Sequence, residues 1–251
     1  MAHNPPDQGL VHLRTLIRIS GLAAILGTLL YAVSDVLLVG VTADLADHPA
    51  LQPHAALLGK MVKLAAVPKW RLVWGGLLGI FAAPLTVAGF WQMYRGLLPA
   101  GPVVALPPLL LFAWAQIVSP FLHGSHIYLG EYIQALDTLA PESQGVIAAM
   151  VERHNRILAV TLGCMLGCVA IASVLYSVLV FRGRTAFPRW LSAFNPFTVV
   201  LLWSLLSKLL PGSIRTATSG AGMNFAFLVF FGLNTLTLWR QAPVWQSAKK
   251  D

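Results

Sequence analysis

Six stretches of this chain, 16–41, 71–94, 102–127, 157–181, 191–210 and 223–239, match the roughly 20 apolar residues needed to cross a bilayer's hydrocarbon core. No other feature constrains the fold as strongly. A segment of this kind must satisfy its own backbone hydrogen bonds, which leaves helices or a closed barrel. The runs show no period-2 alternation, so helices are expected throughout. Composition agrees, with 57% of the 251 residues hydrophobic and 10% charged. Soluble domains carry about 25% charged residues, so a water-soluble globular domain and a disordered chain are both excluded. The predicted fold class is all-α, a polytopic transmembrane bundle of about six spans forming one membrane domain over 1–251. Residues 1–12 and 243–251 read as mobile tails.

Within the first span, Ala32-Val33-Ser34 imitates a signal-peptidase site. The apolar run resumes over 36–41, so an uncleaved helix is expected. Orientation follows the positive-inside rule. With the N-terminus inside, the inner segments hold Arg14, Arg18, Arg95, Arg182, Arg184, Arg189, Arg240, Lys249 and Lys250. The outer segments hold Lys60, Lys63, Lys69, Arg71, Arg153, Arg156, Lys208 and Arg215. The totals nearly tie, and the loop 182–189, with its three arginines and no acid, decides for cytoplasmic N- and C-termini in a multi-pass cell-membrane protein. The long loops 42–70 and 128–156 then lie outside. In 54–68, Leu57, Leu58, Met61, Val62, Leu64 and Ala65 recur at helical spacing around Lys60 and Lys63, which predicts an amphipathic helix in the headgroup plane. Ala140-Pro141-Glu142 reads as a second loop helix start, leading into a fourth span that projects beyond the bilayer.

Gly75 with Gly79, and Gly163 with Gly167, form G-x-x-x-G pairs that suit close helix packing inside the bundle or a homo-oligomer seam. Cys164 and Cys168, one turn apart, read as small buried hydrophobes.

Polar groups at membrane depth each need a reason, because an ionisable side chain there costs roughly 2.5–3.5 kcal/mol. Asp35 lies about 9 Å inside the end of span one, at 1.5 Å per residue. It reads equally as an acid paired with Arg or His and as a site residue. In Ser119-Pro120-Phe121-Leu122-His123-Gly124-Ser125-His126, Pro120 and Gly124 weaken the helix while His123 and His126 share a face, with Glu131 further on. Two His are an incomplete ligand set, so a capping pair is the plainer reading and no metal or other cofactor is assigned. His154 opens span four. Arg215 precedes a Gly- and hydroxyl-rich approach to span six, where Asn224 sits one turn in. Because spans alternate direction, Asp35, Arg71, His123, His126, His154, Arg156, Lys208, Arg215 and Asn224 all fall on one side, which predicts an outward-facing polar cavity.

The run Tyr31–Leu38 around Asp35, the run Arg71–Gly79, the segment Gly89–Tyr94, His123 after span three, and Asn224 with 225–231 together resemble an uncharacterised bacterial family of polytopic proteins with a domain of unknown function. The resemblance covers roughly spans one to six. It implies a bacterial inner-membrane protein and carries no activity.

Three functions remain. The first is a site for a small amphiphile or lipid. If it is catalytic, Asp35 or His123 is the general base and Arg71, His126, Glu131, His154, Arg215 and Asn224 contact the ligand, with Arg215 as an anion clamp. No triad, phosphate-loop or H-E-x-x-H signature supports a reaction. The second is a secondary transporter or proton-coupled carrier, against which stand the off-centre ionisable groups and the missing internal repeat. The third is an accessory subunit of a membrane complex. Nucleic acid is disfavoured, since the basic residues behind the net charge of +8 are scattered at span ends.

Overall fold

The structure, a computed structural model, describes residues 8–240, without the side chains of Gln8, Leu10 and Arg240. Its helices are α1 (Gln8–Val39), α2 (Ala55–Leu58), α3 (Lys69–Leu97), α4 (Pro102–Thr138), α5 (Pro141–Phe181), α6 (Pro196–Leu206), α7 (Gly212–Ala217) and α8 (Gly222–Arg240), and no strand forms among the described residues. Five of them, α1, α3, α4, α5 and α8, are long and apolar enough to cross a membrane. Of the expected tails, 1–7 and 243–251 lie outside the described residues, and the remainder of the first is already helix.

The stretch 191–210 departs most from expectation. Arg189–Ala193 is a 3-10 turn, after which Asn195 restarts the chain as an N-cap, accepting from the Thr198 N–H, with Pro196 at the first helical position. The apolar helix Pro196–Leu209 then measures about 21 Å, short of the roughly 30 Å hydrocarbon core. Elsewhere prolines do not break helices. Pro84 lies inside α3, and α4 continues past Pro120.

Short connections make the long helices antiparallel neighbours. α3 and α4 are joined through the turn Leu98–Ala100 and Gly101, whose φ of 112° favours glycine. In space the order is α8, α1, α3, α4, α5, with α6 against α8 and α5. At the end holding the chain termini, α5 and α8 close this row. Tyr176 donates to Asn234 Oδ1 at 2.8 Å, and an aromatic core of Phe90, Phe112, Phe227, Phe230 and Phe231 fills the middle. Gln92 ties three helices, donating to Ile17 O at 3.0 Å and accepting from Thr235 at 3.1 Å. Gly75 and Gly79 face inward. A Cβ on Gly79 would stand 2.3 Å from His123 Cγ, and one on Gly75 would stand 2.7 Å from Leu38 Cγ. Gly163 and Gly167 instead open onto free space on α5, and Cys164 beside them is exposed rather than buried. The outer surface is apolar over wide areas, with Phe81, Ile117 and Val160 each about two-thirds exposed (65%, 65% and 68%), a surface suited to lipid.

The opposite end carries a cap. The expected second loop does not exist as a loop, because α4 and α5 extend through it at about 55 and 60 Å, well beyond a bilayer core. The segment 54–68 is not one continuous amphipathic helix. It is a strap made of the 3-10 turn Pro49–His54, the single turn α2 and the 3-10 turn Gly59–Ala66, interrupted where Gly59 takes a φ of 49°. Its Leu58, Leu64 and Val67 are buried against Leu129, Ile133 and Val151 of α4 and α5. Polar bonds fasten it: His48 to Asp137 at 2.6 Å, His54 to Gln144 at 3.0 Å, and Gln134 to the carbonyls of Leu64 and Val67.

The end of α1 is held from outside. A helix leaves its last carbonyls unpaired, and cations favour that end. α1 has no basic residue in its last turn. Arg71 of α3 donates to Val36 O at 2.6 Å and Leu37 O at 3.0 Å, and Lys63 of the strap donates to Val39 O at 3.0 Å. Replacing Arg71 by Leu is expected to cost about 2 kcal/mol, as the loss of charged hydrogen bonds to partly buried acceptors. Thermal unfolding of the detergent-solubilised protein should show a lowered midpoint for Arg71→Leu and none for Arg215→Leu, since Arg215 is exposed.

Candidate functional site

Below the cap, α5 and α8 splay apart, and a cavity of about 180 Å³ lies between them against α1 and α4. α1 contributes Asp35, Leu38 and Val39, and α4 contributes Gln116, Ser119, Leu122, His123 and His126. Leu162, Met165, Leu166 and Val169 of α5 face Met223, Asn224 and Phe227 of α8 across it. Leu162 and Leu166 in this lining are 43% and 40% exposed, so the cavity is open along α5.

Four of the residues singled out from the sequence, Asp35, His123, His126 and Asn224, line this cavity together. The other six do not. Arg71 is committed to the α1 carbonyls, and Glu131 and Arg215 are exposed. His154 packs edge-on to Tyr132 at 6.2 Å. Arg156 pairs with Glu152 on its own helix, and Lys208 also lies outside the lining.

Asp35 Oδ2 accepts from Asn224 Nδ2 at 2.6 Å, and its Oδ1 is 3.8 Å from His123 Nδ1. Among the described residues no Lys or Arg lies within ion-pair distance of this carboxylate. A glycine permits its cover: a Cβ on Gly220, in the turn before α8, would meet Val39 Cγ2 at 2.4 Å and Asp35 Cβ at 3.3 Å.

His123 is oriented by Ser34. The Ser34 hydroxyl donates to Gly75 O at 2.5 Å and lies 2.9 Å from His123 Nδ1. Its single proton is already given to a group that can only accept, so Nδ1 carries the imidazole proton and donates to Ser34. In the neutral ring Nε2 is then the basic nitrogen. His126 repeats the pattern, with Nδ1 donating to Leu122 O at 2.6 Å. Ser34, His123 and Asp35 are the residue types of a hydrolytic triad, but serine and acid sit on the same ring nitrogen. A triad places them on opposite nitrogens, so this arrangement does not activate Ser34. No group of three or more His, Cys, Asp or Glu gathers at metal-binding geometry among the described residues.

Sequence reasoning passed over Ser34, Gln116 and Ser119. A signal was available for the last two, since 116, 119, 123 and 126 follow a helical repeat and place four polar side chains on one stripe of α4. Gln116 is anchored by Thr86, whose hydroxyl donates to its Oε1 at 3.3 Å. Tyr31, fully buried, tilts against the His123 ring at 4.8 Å between centroids. In the strap, burial lowers Lys63 below the ordinary lysine value. The charge on Lys60 adds to that effect, and Asp35 opposes it.

Ring-nitrogen NMR on the ¹⁵N-histidine-labelled protein checks the assigned tautomer. The neutral ring of His123 should carry its proton on Nδ1, and Ser34→Ala should redistribute it. An Nε2-protonated ring in the unaltered protein contradicts the assignment.

No curated protein and no solved structure matches the chain. A family model covers residues 5–241, nearly the whole length, and on that match the chain belongs to the Family of unknown function (DUF6796).

Proposed function

We propose that this protein is a multi-pass membrane protein whose side-opening cavity binds a small amphiphile taken from the surrounding lipid. The observation that carries this reading is the shape and lining of the wedge between α5 and α8. Its walls are Leu, Met, Val and Phe, its mouth lies at the exposed Leu162 and Leu166, and its closed side holds Asp35, Asn224 and His123. Ligand sites generally join apolar walls to a few placed polar groups. At about 180 Å³ the cavity is smaller than the roughly 300–1,000 Å³ that encloses a whole drug-sized molecule. It suits a head group and the first carbons of a chain, with the remainder leaving through the mouth.

In this reading α6, shorter than the core by itself, makes the sixth crossing together with the segment 207–221 that follows it. It leaves α5 at Ser173 and Ser177 and reaches α8 at Gly222 and Phe225 through Trp203. The termini lie in the cytoplasm and the cap outside. At the terminal end Arg14 and Arg18 lie in the first three turns of α1 and Arg182, Arg184 and Arg189 follow the end of α5, as the positive-inside rule favours. At the cap end Arg71 and Lys63 are spent on α1 and Arg156 on Glu152.

Native mass spectrometry of the protein gently extracted from its own membrane tests this. A retained lipid-sized mass should be present in the unaltered protein and lost in Leu166→Trp, which blocks the mouth without touching the polar side. Spectra that are alike, with no bound mass in either, would sink the reading and leave the polar cluster a packing feature.

A further inference from the structure

We infer that the head group recognised in this cavity is a hydrogen-bond donor carrying positive charge, an amine-headed amphiphile rather than a fatty acid or a phospholipid phosphate. The inference rests on the amphiphile reading above and assigns its chemical class.

The balance of donors and acceptors carries it. Asp35 offers a carboxylate with only one close hydrogen bond, from Asn224, and its Oδ1 has no protein donor within hydrogen-bond distance among the described residues. His123 and His126 both spend their Nδ1 protons elsewhere, on Ser34 and Leu122 O, so each presents Nε2 as an acceptor. No Lys or Arg lines the cavity. Asn224 spends one of its two amide protons on Asp35, which leaves its second N–H, the Gln116 amide and the Ser119 hydroxyl as the donors in the lining. An anionic head group would bring negative charge towards an acid without a Lys or Arg ion-pair partner among the described residues; Lys63, whose charge reaches it, is held at Val39 O outside the lining. An ammonium supplies the missing charge and up to three donors to a carboxylate and two imidazole nitrogens. The two arginines that would serve an anion, Arg71 and Arg215, are respectively bound to α1 carbonyls and exposed outside the lining.

The test uses the full chain in phosphatidylcholine nanodiscs at neutral pH, titrated separately with dodecylamine, dodecanol and dodecanoate, with bound adducts counted by native mass spectrometry. The three probes share a chain and differ only at the head. Dodecylamine should bind at least about tenfold tighter than dodecanol, the scale of one charge-assisted hydrogen bond, and dodecanoate should give no saturable adduct. Asp35→Asn should remove the preference for the amine over the alcohol. Met165→Trp, which fills the cavity, should abolish all saturable binding, and the wild-type ranking stands as a readout should either variant fail to fold. Dodecanoate binding as tightly as dodecylamine, or equal binding of amine and alcohol, overturns the head-group class while the amphiphile reading stands. Failure of all three probes to form a saturable adduct overturns both.

Discussion

The carbonyl oxygens of Leu37 and Val39 end a helix, and with Val36 O, which accepts from Gly40 N–H as well as from Arg71, they organise the cap end of the molecule. Leaving such groups without partners away from water costs several kcal/mol, so the donors must come from other parts of the chain. Arg71 brings the start of α3, Lys63 brings the strap, and Ser219 brings the turn before α8. Each of these elements then bounds the neighbourhood of Asp35, the residue just before the capped turn. Gly220 lies over the carboxylate and Asn224 reaches it because the α8 approach is fixed at the end of α1.

The two ends of the bundle differ in how α5 meets α8. At the terminal end, the Tyr176–Asn234 hydrogen bond and the edge-on contact of Tyr176 with Phe230 close the row of helices. At the cap end α5 is drawn onto α4 and the strap through Val151, Leu158 and Asn155, while α8 follows α1. The gap between them is the cavity. Its lining therefore combines groups from α1, α4, α5 and α8, helices with different reasons for being where they are.

Much of the helical framework was legible, because a long apolar run admits few alternatives. Even its exceptions carried signals. Asn195-Pro196 and Pro211 bracket the stretch 191–210 with a cap and a breaker, which is why it folds as a short helix. The strap at 54–68 has the burial pattern of an amphipathic helix, but Pro49, Pro53 and Gly59 impose turns, and its apolar residues face protein because α4 and α5 continue beneath it. The candidate site was legible as a list of polar residues on one side of the bundle and illegible as an arrangement. Arg71 and Asp35 both looked like site residues, yet one caps a helix and the other lines the cavity. Ser34 read only as part of a sequence imitating a signal-peptidase site, yet it sets the proton on His123.

The sequence by itself determined that the chain is all-helical, where most helices run, and which polar residues share an end, since these follow from local periodicity and the absence of charge. Only the tertiary structure decided which of those polar groups face one another. Helix rotation, the inward turn of Gly75 and Gly79, and the separation of α5 from α8 depend on contacts between residues far apart in the chain. A buried polar group takes the partner that packing brings within about 3 Å, and nothing in its local sequence specifies that partner.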